Sequence, residues 1–214
     1  MKKLSYILKN PLRIPLLLLM RIPYFGFLRN TSSYQCRISF NMWFRHKVLN
    51  RGGNRLAYWP VHPTSKVVIP ENIFAGIDTC PGLMGGCYIQ GIGKIYIGDY
   101  TQIAPNVIII SANHDLYDTR KHIPGEVRIG KYSWLGAGSK IMPNVVLGDF
   151  TIVGAGAVVT KSFPMGHCVI AGNPAKVIKE LEPGKCIRYE YAKQYNGYIP
   201  SSKFTVFRKK HLSV

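Results

Sequence analysis

IGKYSWLGAGSKIMPNVVLGDFTIVGAGAVVTKSFP, residues 129–164, divides into six consecutive units of six residues. The first position of each unit is aliphatic, the second is usually small, and the fifth is usually small or β-branched. A period of six fits neither a helix of 3.6 residues per turn nor a strand of alternating side chains. It is typical of short strands joined by tight turns that wind into a parallel β-helix.

Three such units per coil would stack residues that lie eighteen positions apart. The expected inward pairs are Ile129 with Leu147, Leu135 with Val153, and Ile141 with Val159. Glycine at the second position suits a turn that needs positive φ or close approach of backbone. A β-sandwich with glycine-rich turns is the alternative, and the unbroken phase over six units disfavours it.

The same period occurs earlier, in IGDYTQ, IAPNVI and IISANH, and it breaks directly after His114. The register slips before it resumes at Ile129, so the sequence predicts an inserted loop at 115–128. The frame also continues backwards, more weakly, to residue 67, with Leu83 and Ile77 at fifth positions. This gives about fourteen units, or between four and five coils. A regular scaffold with one loop beside one histidine indicates a site.

Three strings resemble the hexapeptide-repeat acyltransferases, and specifically the galactoside, maltose and capsular-polysaccharide O-acetyltransferases. They are IGDYTQIAPNVIIISANHD (97–115), the six units of 129–164, and VIAGNPAKVIKE (169–180). The resemblance covers about residues 67–182 and implies an all-β fold, a left-handed parallel β-helix. It also implies a homotrimer, with acetyl-CoA in the groove between neighbouring prisms.

The predicted organisation has three parts. Residues 1–66 form a basic and apolar segment outside the repeat, 67–164 form the β-helix with the loop 115–128, and 165–214 form a loop and a basic extension. The pattern of residues 183–214 is not clearly helical, and it leaves open whether they fold back on the prism, pack on a neighbouring subunit or stay loose.

The N-terminal segment has two interpretations that the sequence leaves open. It could cap the open end of the β-helix. It could instead lie on an anionic membrane surface through Leu16–Met20, Tyr24–Phe27 and the cations Lys2, Lys3, Lys9, Arg13, Arg21 and Arg29. The apolar run Ile14–Met20 is too short to span a bilayer, and no small-residue cleavage site of a signal peptide follows it.

The chain of 214 residues carries a formal charge of +18, which predicts attraction to anions such as CoA or pyrophosphate-linked glycans. Nucleic acid is the generic partner for such charge, but no nucleic-acid motif is present and none is expected to bind. The five cysteines form neither a disulfide framework nor a zinc pattern. We therefore expect free thiols, no metal, and a cytoplasmic protein, with peripheral contact at the inner face of the cytoplasmic membrane left open.

Acetyl transfer to a hydroxyl needs a base for the hydroxyl proton and donors for the developing oxyanion. Histidine suits the base because its ordinary pKa lies near neutrality. By resemblance, His114 is the catalytic base and attack on acetyl-CoA is direct, without an acyl-enzyme. His122 lies in the inserted loop, where a solvated role is favoured over contact with the acceptor.

The resemblance also assigns the acetyl-CoA site, with Trp134 and small residues along the pantetheine and lysines near the phosphates. The positions are Trp134, Gly136, Ala137, Gly154, Ala155, Thr160, Lys161, Lys176 and Lys179. One backbone N–H near Ala137 would serve the thioester oxygen. Candidates for contact with the sugar are Tyr88, Gln90, Asn113 and Asp115. The stretch Gly85–Tyr88 lacks the asparagine with which galactoside enzymes hold their acceptor, which argues against a simple galactoside.

The sequence thus predicts an acetyl-CoA-dependent O-acetyltransferase that acts on a sugar, in a bacterial surface polysaccharide or its lipid-linked precursor. An N-acetyltransferase acting on an amino sugar is the close alternative, because His114 could equally deprotonate an amine. A non-catalytic scaffold that binds CoA or membrane is an alternative of another class. A γ-type carbonic anhydrase shares the fold but needs three histidines on zinc, and the spacing of His114 and His122 does not match.

Overall fold

Short parallel strands stack in three sheets, which form the three faces of a prism; the computed structural model describes residues 22–214. Face A contains β1 (Lys66–Val68), β3 (Tyr88–Gln90), β6 (Ile108–Ile110), β11 (Lys140–Ile141) and β14 (Val158–Val159). Face B contains β2 (Ile73–Ala75), β4 (Lys94–Ile97), β9 (Glu126–Ile129) and β12 (Val146–Leu147). Face C contains β5 (Gln102–Ile103), β10 (Trp134–Leu135), β13 (Thr151–Val153), β15 (Cys168–Gly172) and the antiparallel β16 (Ala175–Glu180).

The aliphatic first positions of the repeat form ladders inside the prism. The structure pairs the same residues that the eighteen-residue spacing predicts: Ile129 with Leu147, Leu135 with Val153, and Ile141 with Val159. All of them are buried, as are the fifth positions Thr101, Val107, Ser133, Ser139, Val145, Thr151 and Ala157. The predicted parallel β-helix is confirmed, and its core is this stack of small and aliphatic side chains.

The turns at the prism edges use two different positions of the unit. Positive φ occurs at the fourth position, for example at Tyr132, Asn144 and Phe150. The glycines at the second position, such as Gly130, have ordinary φ, but a Cβ there would overlap the backbone of Gly148 and Asp149 in the next coil. Close approach, and not positive φ, is therefore what requires glycine at the second position.

The coils before His114 are longer than three units. Val67 pairs with Ile89, and Ile89 with Ile109, at spacings greater than eighteen residues. The six-residue frame therefore does not continue unchanged to residue 67. Ile77 and Leu83, which that frame places at inward positions, are only partly buried and pack at the margin of the core.

A hairpin interrupts the winding between face A and face B. It consists of β7 (Ala112–His114) and β8 (His122–Pro124), which pair antiparallel. The hairpin begins at Ala112, three residues before the predicted loop 115–128. It ends at Pro124, before the predicted end of that loop, because Glu126–Ile129 already belongs to face B. The insertion is thus a short ordered ribbon projecting from one edge of the prism.

The chain before the first coil folds over the end of the prism. It contains a 3-10 turn at Pro23–Phe25, α1 (Gly26–Asn30), α2 (Phe40–Trp43) and a π-helical turn at Phe44–Val48. Trp59 is fully buried in the main core, and its Nε1–H donates to the Pro81 carbonyl at 2.8 Å. The described residues of this segment thus pack on the first coil, where the capping interpretation places them, and we call them the capping segment. The predicted contacts of Lys2, Lys3, Lys9, Arg13, Leu16–Met20 and Arg21 lie outside the described residues.

The C-terminal residues return to the same end of the prism. A 3-10 turn at Pro183–Lys185 is followed by β17 (Tyr195–Asn196), β18 (Ile199–Pro200) and α3 (Ser201–His211). The helix, which the sequence pattern did not indicate, packs Phe204 against Tyr58 and Phe74. Of the open alternatives for this extension, the structure shows folding back on the prism. No helix in residues 22–214 has the length and apolar character needed to cross a bilayer.

Candidate active site

The hairpin β7–β8 places His114 at the edge between faces A and B. The Gly125 N–H donates to the Ser111 carbonyl at 2.7 Å, which closes the base of the hairpin where it leaves the prism. His114 is the last residue of β7, opposite His122 on β8, and both side chains are exposed. The break in the repeat therefore presents two imidazoles to solvent from a fixed backbone.

One hydrogen bond decides the tautomer of His114. Its Nδ1 lies 2.6 Å from the carbonyl oxygen of Thr119, in the turn of the hairpin. A carbonyl only accepts, so Nδ1 carries the hydrogen and Nε2 carries the lone pair. The outer nitrogen of His114 is thus a base that can accept a proton from a bound hydroxyl.

Asp115 is used inside the hairpin turn. Its Oδ1 accepts from the N–H groups of Tyr117 and Asp118, both at 2.8 Å. These two donors hold the pKa of Asp115 below its usual range. The carboxylate therefore organises the loop that carries the Thr119 carbonyl. Asn113, the other neighbour of His114, is exposed on β7 and faces Ile123 across the hairpin.

The two predicted sugar contacts on β3 have different surroundings. The Gln90 Oε1 accepts from the Ala112 N–H at 3.1 Å, so this side chain ties the first residue of β7 to face A. Tyr88 lies beside Ile108 on face A and is about a third exposed, at 36%. Tyr88 is therefore available to a ligand, while the Gln90 carbonyl oxygen already supports the hairpin.

The small residues predicted to line the pantetheine lie at the edge between faces C and A. Ala137 and Ala155 are exposed in successive turns, one directly above the other, since the Gly156 N–H donates to the Ala137 carbonyl at 2.8 Å. A Cβ at Gly136 would lie 2.6 Å from the Val153 carbonyl, and one at Gly154 would lie 2.9 Å from the Ala171 Cβ. This edge is therefore a smooth surface of small residues, Gly136, Ala137, Gly154 and Ala155, which we call the donor wall.

Trp134 stands beside this wall, on face C. Its side chain is 51% exposed and lies between Gln102 and Ile152 of the neighbouring strands. The N–H of Ala137, in the turn between β10 and β11, donates none of the hydrogen bonds found in the described chain. An exposed indole, a smooth wall and an available N–H donor suit a linear thioester arm.

The remaining predicted contacts lie elsewhere. Thr160 and Lys161 follow β14, at the same edge as the hairpin, where Ser162 accepts from the Val146 N–H at 2.9 Å. Lys176 and Lys179 are exposed on β16, at the open end of face C. Within one chain the predicted residues therefore occupy three separate places.

The predicted base and the predicted donor residues lie on different edges of the prism. His114 projects from the edge between faces A and B, whereas Ala137 and Ala155 line the edge between faces C and A. A face of the prism lies between them. Within the described chain the base and the donor wall therefore do not lie on the same edge.

A pocket beside Trp134 was not expected from the sequence. It has a volume of about 290 Å³ and is lined by Cys36, Leu83, Met84, Pro105 and Trp134, among others. The capping segment supplies Gln35 and Cys36 to this lining. The repeat could not reveal it, because one wall comes from residues outside the repeat.

The described residues contain no candidate metal site. No group of three or more His, Cys, Asp or Glu side chains is placed to hold a metal ion in residues 22–214. All five cysteines are free thiols.

Comparison with known proteins agrees with this architecture. Residues 126–161 match the family model of the bacterial transferase hexapeptide, six repeats. The chain is 44% identical over 63 residues to nodulation protein L of Rhizobium meliloti (strain 1021), a match that spans 28% of this chain and 34% of that protein. The chain therefore spans about a third of the length of this curated relative.

Two solved structures are similar over most of the chain. A maltose O-acetyltransferase from Clostridium difficile 630 is 28% identical with a TM-score of 0.51, over 78% of this chain and 89% of that chain. A galactoside acetyltransferase in complex with coenzyme A is 26% identical with a TM-score of 0.55, over 72% and 82%. The predicted resemblance to the hexapeptide-repeat acyltransferases, and the predicted left-handed β-helix, are confirmed.

Proposed function

From this hexapeptide-repeat architecture we infer that the chain is an acetyltransferase that moves an acetyl group from acetyl-CoA to a sugar hydroxyl. The observation that carries the proposal is the Nδ1–H bond from His114 to the Thr119 carbonyl, which leaves Nε2 as an exposed base. Similarity to the maltose and galactoside acetyltransferases supports the reaction class and the donor. The acceptor proposed is a unit of a bacterial surface polysaccharide or its lipid-linked precursor.

The donor wall fits acetyl-CoA. The exposed face of Trp134 and the low turns at Ala137 and Ala155 would accommodate the pantetheine arm. The lysines Lys161, Lys176 and Lys179 are exposed and would pair with phosphate groups. The donor supplies the activated acetyl carbonyl, and no metal is required for this chemistry.

We propose a homotrimer as the working assembly. The base of one chain and the donor wall of the next would face each other across each contact, and three equivalent contacts close a ring. The separation of His114 and Ala137 on different prism edges supports this arrangement. Each trimer would hold three such sites.

His114 then acts on the proton of the acceptor hydroxyl. Nε2 accepts this proton as the hydroxyl oxygen forms its bond to the acetyl carbon, and the Thr119 carbonyl stabilises the resulting imidazolium through Nδ1–H. The Ala137 N–H donates to the oxygen on which negative charge develops. The carbon–sulfur bond then breaks, and His114 returns the proton to the departing thiolate.

The proposed cellular location of the protein follows from its acetyl donor and from its free cysteines. Acetyl-CoA is made in the cytosol, and five free cysteines suit a reducing compartment, so we place the protein in the cytoplasm. Peripheral contact with the inner membrane face would bring the site to a lipid-linked acceptor. The charge and apolar character of the capping segment support that contact.

The test is thiol release from acetyl-CoA by the purified full-length chain, with a panel of sugars and host glycan fractions. Wild type is compared with His114→Ala and with His62→Ala, an exposed histidine of the capping segment. We expect glycan-dependent release that only His114→Ala abolishes. The product is then treated with mild base, which removes an O-acetyl ester and leaves an N-acetyl amide. A base-stable product would replace the hydroxyl acceptor with an amine, and unchanged release in His114→Ala would remove the base from the proposal.

A further inference from the structure

The capped end of the prism carries an unusual set of exposed apolar side chains. We call this the base surface and define it by Ile22, Tyr24, Phe44, Val48, Leu49 and Leu56. Their exposed fractions range from 38% at Phe44 to 81% at Leu56. Large apolar side chains that cluster on a surface mark an interaction site, whereas scattered ones carry no meaning.

Contacts connect Tyr24, Leu56 and the helical turn that carries Val48 and Leu49. The Tyr24 ring packs edge-on against Trp43, with centroids 6.4 Å apart, directly before Phe44. Tyr24 and Leu56 line the same cleft, whose volume is about 640 Å³. The Arg55 guanidinium donates to the Val48 carbonyl at 3.1 Å, which holds the loop of Leu56 against the turn of Val48 and Leu49.

Hydrogen bonds from two adjacent side chains hold the base surface in place. His46 Nε2 donates to the Asn54 carbonyl at 2.7 Å, and the Lys47 Nζ donates to the carbonyls of Arg55 and Ala57 at 2.7 and 2.6 Å. The helical turn and the following loop therefore form one unit.

This end of the prism is strongly basic, although Glu71 also lines the cleft. Residues 1–70 contain twelve Lys and Arg and no Asp or Glu, and the first acid of the chain is Glu71. Arg45, Arg51 and Arg55 are exposed in the helical turn and loop that carry Phe44 to Leu56. Arg45 and Arg51 line a second pocket, beside His62. None of the ion pairs in the described part of the chain involves these three arginines. Lys210, from α3, adds a further cation at the rim of the cleft.

We propose that the base surface docks on an anionic phospholipid bilayer, with its aliphatic side chains in the headgroup boundary and its arginines on lipid phosphates. The sequence that joins this surface before Ile22 continues the same chemistry, with RIPLLLLMR at 13–21. This docking rests on the membrane contact in the proposed function and names its surface. It does not depend on acetyl transfer.

A bilayer matches both properties of the base surface. Exposed leucine and valine gain from burial among acyl chains, and phosphate headgroups pair with guanidinium groups. A nucleic acid would satisfy the arginines but would leave Leu49 and Leu56 in water. The chemistry of the surface therefore favours lipid over nucleic acid.

The first experiment is sedimentation of the full-length chain with vesicles of phosphatidylcholine containing or lacking phosphatidylglycerol. We expect binding only to anionic vesicles, weakened by salt. Arg45→Gln, Arg51→Gln and Arg55→Gln together should weaken it about a hundred-fold, at about five-fold for each cation. The charge-matched control replaces the exposed Lys94, Lys185 and Lys193 by Gln and should bind to within about five-fold of wild type.

The apolar half is tested with Val48→Ser, Leu49→Ser and Leu56→Ser in one chain, which should bind at least about tenfold more weakly. Its matched control carries Val177→Ser, Ile178→Ser and Ile187→Ser, which are aliphatic residues outside the base surface and at least 46% exposed. Thermal melting without vesicles checks that each variant folds. Equal loss in test and control variants, or wild-type binding in both test variants, overturns the proposal, as does tighter binding to RNA than to anionic vesicles.

The orientation of the protein on the vesicle gives a second readout, which does not require the serine variants of the apolar residues. Trp43 lies at the base surface and Trp134 on face C, while Trp59 is fully buried. Brominated phosphatidylglycerol should quench the fluorescence of Trp134→Phe, which retains Trp43, and should leave Trp43→Phe unquenched. Quenching of Trp43→Phe alone would place face C on the membrane and overturn the assignment. Because no acetyl-CoA is present, failure here is distinct from failure of the proposed reaction.

Discussion

His114 and His122 face each other across the hairpin, with ring centroids 4.3 Å apart and ring planes inclined by 43°. They are directly opposite in the β7–β8 register, and both are exposed. Only His114 has a ring nitrogen fixed by a backbone carbonyl, that of Thr119. Two identical residues in contact thus differ in one respect that matters for proton transfer.

We predict that this difference separates their roles in catalysis. His114→Ala should lower kcat by about 10²- to 10⁴-fold, because it removes the base. His122→Ala should lower kcat by less than about tenfold, because it removes only a cross-strand contact. Steady-state thiol release measures both. If His122→Ala loses as much kcat as His114→Ala, then the two imidazoles act as a unit, and the assignment of a single base is wrong.

The second prediction concerns the loop that fixes the base. Asp115→Ala should lower kcat, because it frees the N–H groups of Tyr117 and Asp118 and loosens the turn that carries Thr119. Asp115→Asn keeps an oxygen acceptor at the same place and should retain most of the activity. Amide hydrogen exchange at Tyr117 and Asp118 should quicken in Asp115→Ala only.

The ionisation of Asp115 adds a pH dependence with a definite sign. Hydrogen bonding lowers its pKa in the folded chain, so its support of the hairpin is complete above the unfolded value and is lost as pH falls through the folded value. At neutral pH the turn therefore has its full support. Protection of these two amides that stayed constant down to strongly acid pH would contradict this role.

The third prediction tests the oxyanion donor with a substitution that the turn tolerates. Ala137 occupies the third position of its unit, which Pro105 and Pro143 occupy in neighbouring turns. Ala137→Pro should therefore preserve the fold while it removes the N–H, and kcat should fall by about 10²- to 10³-fold. Ala137→Ser keeps the N–H and is the control. A melting temperature well below wild type in Ala137→Pro would attribute the loss to folding instead.

Much of the fold follows from the sequence because each repeat unit makes its contacts at a fixed offset. The pairing of Ile141 with Val159 could be read from spacing alone, as could the burial of Ser139 and Thr151. The coils before His114 could not, because turns of irregular length change the offset between Val67 and Ile89. Helix α3 was missed for a different reason. Its helical form depends on Phe204 packing against Tyr58, a contact distant in sequence.

The residues of the candidate site could be predicted from the sequence only in part. The break in the repeat pointed to His114 and to an inserted element, but not to the Thr119 carbonyl that sets its tautomer. The sequence offers Gln90 as a sugar contact, and it could not show that the Gln90 Oε1 accepts from the Ala112 N–H, because that is a tertiary contact. Periodicity reports which residues face inward, and it carries no information about hydrogen bonds between an insertion and its scaffold.

The fourth prediction concerns pH and the cap. Burial lowers the pKa of His46 to about 4, while its two ring nitrogens are bonded to Tyr198 and Asn54. Between pH 6.5 and about 4 the unfolded chain binds a proton that the folded chain does not, so stability falls as pH falls through this window. The loss attributable to His46 is about 3 kcal/mol in total.

Denaturant unfolding at pH 7.5 and pH 5 measures this effect. His46→Gln should be less stable than wild type at pH 7.5 but should lose less stability between the two pH values. His62→Gln, which changes an exposed histidine of the same segment, should keep the wild-type difference. The same pH difference in wild type and His46→Gln would show that another group is responsible.

The last prediction tests whether one site is shared by two chains. His114→Ala removes the base at one edge of the prism, and Ala137→Pro removes the donor at another, so each variant alone should be inactive. In a mixed assembly some contacts would join an intact His114 edge to an intact Ala137 edge. Co-refolding the two variants in equal amounts should then restore about a quarter of wild-type activity, since each edge is intact in half of the chains. The control is a chain carrying both substitutions, mixed with His114→Ala, which offers no chain with an intact base and must stay inactive. Recovery only in the first mixture requires that base and donor come from different chains, whereas recovery in neither would place both in one chain and contradict the separation of the two edges.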